Sequence, residues 1–427
     1  MSALVMLLAL LVMVLINIPI AISLGLVAVG AFAIADGFDA LIGMAITLFE
    51  GATKFPLIAI PLFVLAGAIM NTSGISRRLI AFASALLGFV RGGLAMVNVG
   101  TSMFFAEISG SAVADVAALG TLLIPAMRKR GYSKEFAAAV TSSSASLAII
   151  IPPSIPMILY AVMADTSVVQ LFVAGIVPGL LGAAGLMGLS YWFAVKYNFP
   201  VEETFQLKRV WATFKDAAWA FLLPVIILGG IFGGIVTATE GAGLAVVASL
   251  FIGGVIYREL NWNLLLKGLI DGAVQTAVVM LLVATSALLG LYLTESRMPQ
   301  ALAQTIIEWT TNQYAILALL NILFLVLGLF LHGAAAIILV VPIVMPIANA
   351  IGLDPVHFGL IVTLNLAIGQ QTPPVASVLI TSCSIAHANV WEVSKINVYF
   401  IGVLFALLML VTYVPAVPLA LVEYFYR

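Results

Sequence analysis

Apolar residues in this 427-residue chain come in long blocks, and the polar positions that interrupt the blocks mark its elements. Residues 2–34 form an apolar block broken at Asn17-Ile18-Pro19. Residues 41–70 form a second, interrupted at Glu50-Gly51-Ala52-Thr53-Lys54. Residues 75–90 open with Arg77 and Arg78 and read as a helix along the membrane interface. Two shorter runs follow, Leu94 to Ile108 and Val116 to Met127, joined by Ser109-Gly110-Ser111-Ala112-Val113-Ala114-Asp115. Runs of about 12–16 residues give roughly 18–24 Å of helix, short of a bilayer core of ~30 Å. The pattern predicts a re-entrant hairpin over 94–128. Irregular backbone at membrane depth is tolerated only where it lines a polar cavity or is buried in protein, so function is expected at this tip.

Residues 133–165 read as a helix broken at Ile151-Pro152-Pro153-Ser154, and 166–195, with no charge after Asp165, must span. Residues 196–216 are the longest polar segment, with Glu202, Glu203, Lys208, Arg209 and Lys215 around Trp211. Their 201–216 portion reads as an amphipathic linker on the membrane surface. The pattern then starts again. Residues 217–256 hold two runs split at Thr237-Ala238-Thr239-Glu240, where Thr237 and Glu240 have capping-box spacing. A run over 264–293 follows. Next come a second hairpin, 314–350, with a soft point at Leu331-His332-Gly333-Ala334, and a helix over 355–385 broken at Gln370-Gln371-Thr372-Pro373-Pro374. A last run covers 396–421.

Pro125 recurs as Pro346 (346 − 125 = 221), and Gly131 as Gly352 and Pro152-Pro153 as Pro373-Pro374 recur at the same offset. Paired broken helices in repeated halves point to a secondary transporter with its site at the repeat interface. Arg77, Arg78, Arg91, Arg128, Lys129, Arg130 and Lys134 surround the first hairpin, whereas from 297 to 357 only Arg297 is basic. By the positive-inside rule the hairpins enter from opposite sides. The expected fold is an all-α polytopic membrane protein. It has two inverted repeats, 1–200 and 217–427, each with scaffold helices, a re-entrant hairpin and a broken helix.

Composition agrees: 63% of residues are hydrophobic and 8% charged, against about 25% charged in soluble domains. A net charge of −1 excludes nucleic-acid binding driven by bulk charge. Cys383 stands alone, so no internal disulfide forms, and His332, His357 and His387 lie far apart, which argues against a histidine metal site. Residues 1–16 lack a basic n-region and a small-residue cleavage site, and read as a first membrane helix rather than a signal peptide.

The candidate site has four parts: the tip Ser109-Gly110-Ser111; the run Thr141-Ser142-Ser143-Ser144-Ala145-Ser146 leading to Pro152-Pro153-Ser154; the tip at Gly333; and Thr363, Asn365, Gly369, Gln370, Gln371 and Thr372 before Pro373-Pro374. Carbonyls freed by proline, together with hydroxyls, are uncharged hard ligands that suit Na+. Helix N-termini beyond the tips suit a carboxylate, with Ser111 and Ser154 as hydroxyl donors. The same serines and threonines also serve as helix glue in membranes. Asp115 and Glu107 are acids at membrane depth, where charge is costly; they leave proton coupling open. Asp115 is equally suited to fix the tip at a helix start. His332 at the second tip touches a ligand or is a hydrogen-bonded structural residue.

Phe104-Phe105, Ser109-Gly110-Ser111-Ala112, Ala117-Ala118-Leu119-Gly120, Leu123-Ile124-Pro125-Ala126-Met127 and Gly131-Tyr132 resemble the large membrane subunit of tripartite ATP-independent periplasmic (TRAP) transporters, the DctM-like family. Pro61-Leu62-Phe63, Ile151-Pro152-Pro153-Ser154-Ile155-Pro156-Met157, Gly233-Gly234 followed by Thr239-Glu240, and Gln371-Thr372-Pro373-Pro374 fit the same pattern. The resemblance covers nearly the whole chain. It implies an elevator importer of the bacterial inner membrane, driven by Na+, with two or more ions per cycle. The cargo is an organic acid, sialic acid as first expectation and a C4-dicarboxylate as second. A small four-helix membrane subunit and a periplasmic substrate-binding protein are the implied partners. The implied Na+ sites pair the first tip with the first break (Ser109, Gly110, Ser144, Pro152) and the second tip with the second break (Gly333, Gln370, Thr372). Cargo falls to Ser111, Ser154, Gly333 and Thr372. Two positions depart from the family: Ala238 stands where Pro is usual, and Glu107 where a small residue is expected.

Three other readings compete. A self-sufficient elevator symporter of Na+ and divalent anions would need no binding protein. An intramembrane protease requires paired aspartates or H-E-x-x-H, and the chain has no H-E-x-x-H. A channel fits two broken repeats less well than alternating access does.

Overall fold

The computed structural model describes residues 3–426 apart from 17, 36, 38–40, 110, 202–203, 311 and 374–375. Among the described residues the regular structure is helical. The first half opens with α1 (Ala3–Leu15) and α2 (Ile20–Ala35), which starts just after Pro19. It continues with α3 (Leu41–Ala52), a 3₁₀ turn over Phe55–Ile58, α4 (Ala59–Thr72) and α5 (Ile75–Leu87), entered through Gly74 at φ +71°. The hairpin is α6 (Gly93–Ser109) and α7 (Ala112–Lys129). The broken helix is α8 (Lys134–Ala145), a 3₁₀ turn over Ser146–Ile149, and α9 (Ile155–Met163). The long α10 (Val168–Lys196) closes the half.

The second half holds α11 (Leu207–Phe232), α12 (Ala238–Phe251) ending in a π-turn over Ile252–Ile256, and α13 (Trp262–Glu295). These are followed by α14 (Met298–Trp309), the hairpin α15 (Gln313–Phe330) and α16 (Gly333–Ala350), and the broken pair α17 (Pro355–Gly369) and α18 (Ser377–Ala386). α19 (Val390–Tyr413) and α20 (Ala416–Tyr426) end it.

The 221-residue offset maps helix onto helix, not just proline onto proline. α7 and α16 begin at 112 and 333 and end at 129 and 350. Each ends in a turn with a left-handed glycine, Gly131 (φ +88°) and Gly352 (φ +69°), a conformation that only glycine adopts at little cost. The next helix is capped by Ser133 in one half and Asp354 in the other, each accepting backbone N–H bonds through its side chain.

The structure differs from the expected boundaries in two places. No linker ends at Asp216. Leu207 to Phe232 is one helix whose polar N-terminal part is held by Phe214, stacked on Trp211 at 5.6 Å and packed on Phe82 of α5 at 5.8 Å. The last apolar run is two helices, because Pro415 interrupts it between α19 and α20. The capping box at Thr237 and Glu240 is present despite Ala238.

Among the described residues, seven helical stretches are long and apolar enough to cross a membrane: Phe55–Thr72, Val168–Lys196, Leu207–Phe232, Ala238–Ile256, Leu265–Glu295, Gly333–Ala350 and Val390–Tyr413. The chain is an all-α polytopic membrane protein. Its helices pair across the halves: α2 packs on α13 and α4 on α12, while α7 packs on α18 and α16 on α9. The hairpins and broken helices thereby gather into one group, and α2, α4, α12 and α13 into another.

Candidate functional site

Each broken helix is tied to its own hairpin by buried polar side chains. In the first half, Asn98 of α6 donates to Thr141 Oγ1 at 2.6 Å. Ser144 of α8 donates to Asn98 Oδ1 at 3.1 Å and accepts from Ser102 at 3.0 Å. In the second half, Asn365 of α17 donates to Asn321 Oδ1 of α15 at 2.7 Å, and Asn321 donates to Thr412 Oγ1 at 3.2 Å. Ser144 and Asn365 are offset by 221 residues (365 − 144), so one structural role is filled by a hydroxyl in one half and an amide in the other. Such bonds hold helices together in an apolar medium.

Backbone contact adds to this in the second half. Gly369, the last residue of α17, faces Gly328 of α15 so closely that a Cβ on Gly369 would lie 2.5 Å from Gly328 Cα. Gly333 approaches Gln370 in the same way, a Cβ there falling 2.8 Å from its Nε2.

At the first break, Ser154 donates its hydroxyl to Ile149 O at 2.6 Å and caps α9 by accepting from Met157 N at 3.4 Å. At the second, Val378 N donates to Gln370 O at 3.1 Å, and Thr372 donates to Ile368 O at 3.0 Å. Ala376 enters α18 in the left-handed region at φ +38°.

A cavity of about 660 Å³ lies where these pieces meet. Four helices of the hairpins and broken helices begin at its wall: α7 at Ala112 and Val113, α9 at Ile155 and Pro156, α16 at Gly333 and Ala334, and α18 at Ser377. Because α7 packs on α18 and α16 on α9, the N-termini form two poles, each from one hairpin and the other half's broken helix. Free N–H groups and dipole ends of this kind attract anions. Ser111, His332 and Gln370 also line the space, as do Ile20, Ile60, Val64, Val274, Gln275, Thr276, Val278 and Leu282 of α2, α4 and α13. Among the described residues no Lys, Arg, Asp or Glu lines it.

The structure thus brings Ser111, His332, Gly333 and Gln370 to one space. Ser144 and Asp115 are fully buried beneath it, Asp115 in the first turn of α7 with its amide bonded to Ser111 O at 3.0 Å. Pro152, Ser154 and Thr372 shape the breaks without lining the cavity, and the Ser154 hydroxyl is engaged inside its own turn, so it is not placed as a donor to cargo. Gly110 and the side chains of Glu107 and Ser109 lie outside the described residues. Sequence reasoning missed Gln275 and Thr276. Their signal is a polar pair inside an apolar run with no break to explain it.

No group of three His, Cys, Asp or Glu side chains that could hold a metal occurs among the described residues. The oxygens on offer are uncharged. Ser142 Oγ and Asn365 Oδ1, both buried and both within two turns before a break, have no hydrogen-bond partner among the described residues. Uncharged oxygens with spare lone pairs suit a monovalent hard cation better than a transition metal.

The model for the tripartite ATP-independent periplasmic transporter, DctM component, matches residues 7–417. The chain belongs to the DctM family. Among its relatives, the isethionate TRAP transporter permease protein DctMQ of Oleidesulfovibrio alaskensis is 42% identical over 93% of this chain, which spans 62% of that protein's length. The C4-dicarboxylate TRAP transporter large permease protein DctM of Pseudomonas aeruginosa is 39% identical over 90% of both chains. The sialic acid TRAP transporter large permease protein SiaM of Vibrio cholerae is 36% identical over 92% of both. The crystal structure of the Alcanivorax borkumensis YdaH transporter superposes with a TM-score of 0.61 over 88% of each chain at 13% identity, a likeness of fold. This DctM protein is therefore a multi-pass TRAP large permease, a transporter and not an enzyme. Its relatives' names cover several organic anions, so membership alone fixes no cargo.

Proposed function

We propose that the chain is the transport subunit of a Na+-coupled, binding-protein-dependent importer in the bacterial inner membrane. It works with a small membrane subunit and a periplasmic binding protein, and moves an organic acid by an elevator motion of two inverted repeats. The four N-termini of the hairpins and broken helices around one cavity, with no Lys or Arg lining it among the described residues, support this reading most directly. They attract an anion but neutralise it incompletely, so the remaining charge calls for co-bound cations. The uncharged oxygens beneath both tips supply ligands for these. Two poles favour a cargo with two acidic groups, which puts a C4-dicarboxylate ahead of sialic acid. The elevator motion rests on the grouping of the hairpins and broken helices across the cavity from α2, α4 and α13.

The test is uptake by proteoliposomes containing this chain and its small subunit, with the binding protein present or absent, under a Na+ or a proton gradient. Uptake of a C4-dicarboxylate that needs both Na+ and the binding protein is the expected result. Proton-driven uptake indifferent to Na+ would overturn the coupling. Uptake of sialic acid alone would overturn the cargo assignment.

A further inference from the structure

Among the described residues, the wall of the cavity opposite the hairpins is aliphatic except at one place. α2 and α4 contribute Ile20, Ile60 and Val64, and α13 contributes Val278 and Leu282, but α13 also presents Gln275 and Thr276 to the same space. Both lie well inside a helix of 34 residues that runs without a break at this point. Neither side chain has a hydrogen bond or ion pair among the described residues. Threonines elsewhere on the same helix behave otherwise: Thr285 donates to Leu281 O at 2.9 Å and Thr294 to Gly290 O at 2.8 Å. The Thr276 hydroxyl forgoes this intrahelical bond, and the Gln275 amide beside it has no neighbour to satisfy it. Gln275 is exposed and Thr276 half-buried, so both side chains are open to the space they line and free to bond what enters it.

We infer that Gln275 and Thr276 read a neutral oxygen on the cargo, so that the preferred cargo is a short organic acid bearing a hydroxyl or keto group besides its acid groups. This rests on the reading of the cavity as an organic-acid site. The acid groups go to the helix N-termini, and the third polar group points at the polar spot that Gln275 and Thr276 make among the described residues of the facing wall. An amide and a hydroxyl both donate and accept, which matches a hydroxyl better than a carboxylate. Neither residue carries charge, so neither competes for the coupling cations.

The experiment compares malate with succinate, which differ by one hydroxyl, in proteoliposomes with both partners present and a Na+ gradient. Wild type is expected to prefer malate. Gln275→Ala and Thr276→Val are expected to raise the KM for malate by about five- to tenfold, leave the KM for succinate unchanged, and leave the dependence of uptake on Na+ unchanged. Thr276→Ser, which keeps the hydroxyl, is expected to keep the preference. A wild-type preference that persists in both variants, or an equal loss for both acids, overturns the assignment while the organic-acid reading stands. If wild type takes up neither acid, the assignment is overturned, and the organic-acid reading falls with it only if sialic acid and isethionate are refused as well.

Discussion

Ser143 of α8 donates its hydroxyl to Gln371 Oε1 at 2.8 Å, a bond that joins the broken helix of the first half to the break of the second. Asn397 of α19 closes the contact, with its Oδ1 2.9 Å from the same hydroxyl and its Nδ2 donating to Gln371 O at 3.3 Å. All three side chains are buried. Removing the hydroxyl strands the Gln371 amide oxygen in an apolar interior, which costs about 1–3 kcal/mol. Ser143→Ala is expected to lower the thermal unfolding midpoint in detergent and to slow uptake. An unchanged midpoint would show that the second break is held without this link.

Gly369 and Gly328 set how closely the second hairpin sits on its broken helix. A methyl on Gly369 would fall 2.5 Å from Gly328 Cα and 2.6 Å from its carbonyl carbon, backbone atoms that move only with the whole helix. Gly369→Ala is expected to destabilise by about 1–3 kcal/mol through overpacking and to abolish most uptake. Gly402→Ala on α19 meets nothing within 4 Å and is expected to be neutral or slightly stabilising. Equal behaviour of the two variants would remove the close crossing as a requirement.

Glu259, between two of the apolar spans, pairs with Arg78 of α5 at 2.9 Å, and Arg78 also meets Asp216 at 3.2 Å and lies 3.8 Å from the centre of the Tyr257 ring. The hydrogen bond from Arg78 holds the Glu259 carboxyl below its ordinary value of 4.5. A carboxyl with a depressed folded pKa contributes stability that is complete above its unfolded value and disappears as pH falls through the folded one. The stability gap between wild type and Glu259→Gln is therefore expected to be constant near neutral pH and to close below pH 4.5. Unfolding midpoints across that range check it, and a gap that widens in acid would contradict the pairing.

Thr237 accepts from Glu240 N at 3.2 Å, and Glu240 accepts from Thr237 N at 2.8 Å, closing the start of α12. Thr237→Ala is expected to cost about 1 kcal/mol, read as a lower unfolding midpoint with the KM for cargo unchanged, because the cap lies away from the cavity. A changed KM would tie this helix start to transport.

The sequence alone determined where the chain turns and breaks. Prolines, glycines and short polar runs act locally, through a missing N–H, a left-handed φ or a capping oxygen, so Ser109 to Asp115, His332-Gly333 and both Pro-Pro pairs marked the tips and breaks without any knowledge of packing. The repeat followed from the same signals at one offset, and the family from the residues around the first tip. Only the tertiary structure decided which of these residues share a space. The Ser154 hydroxyl turns inward to Ile149 while Ser111 reaches the cavity. α7 meets α18 rather than α9. Gln275 and Thr276, on a helix with no local irregularity, face the tips from the other wall. In a chain so uniformly apolar, hydropathy does not say which face of a helix meets protein and which meets lipid. That choice is made by close packing between segments hundreds of residues apart, as where Gly328 admits Gly369 and Ser143 finds Gln371.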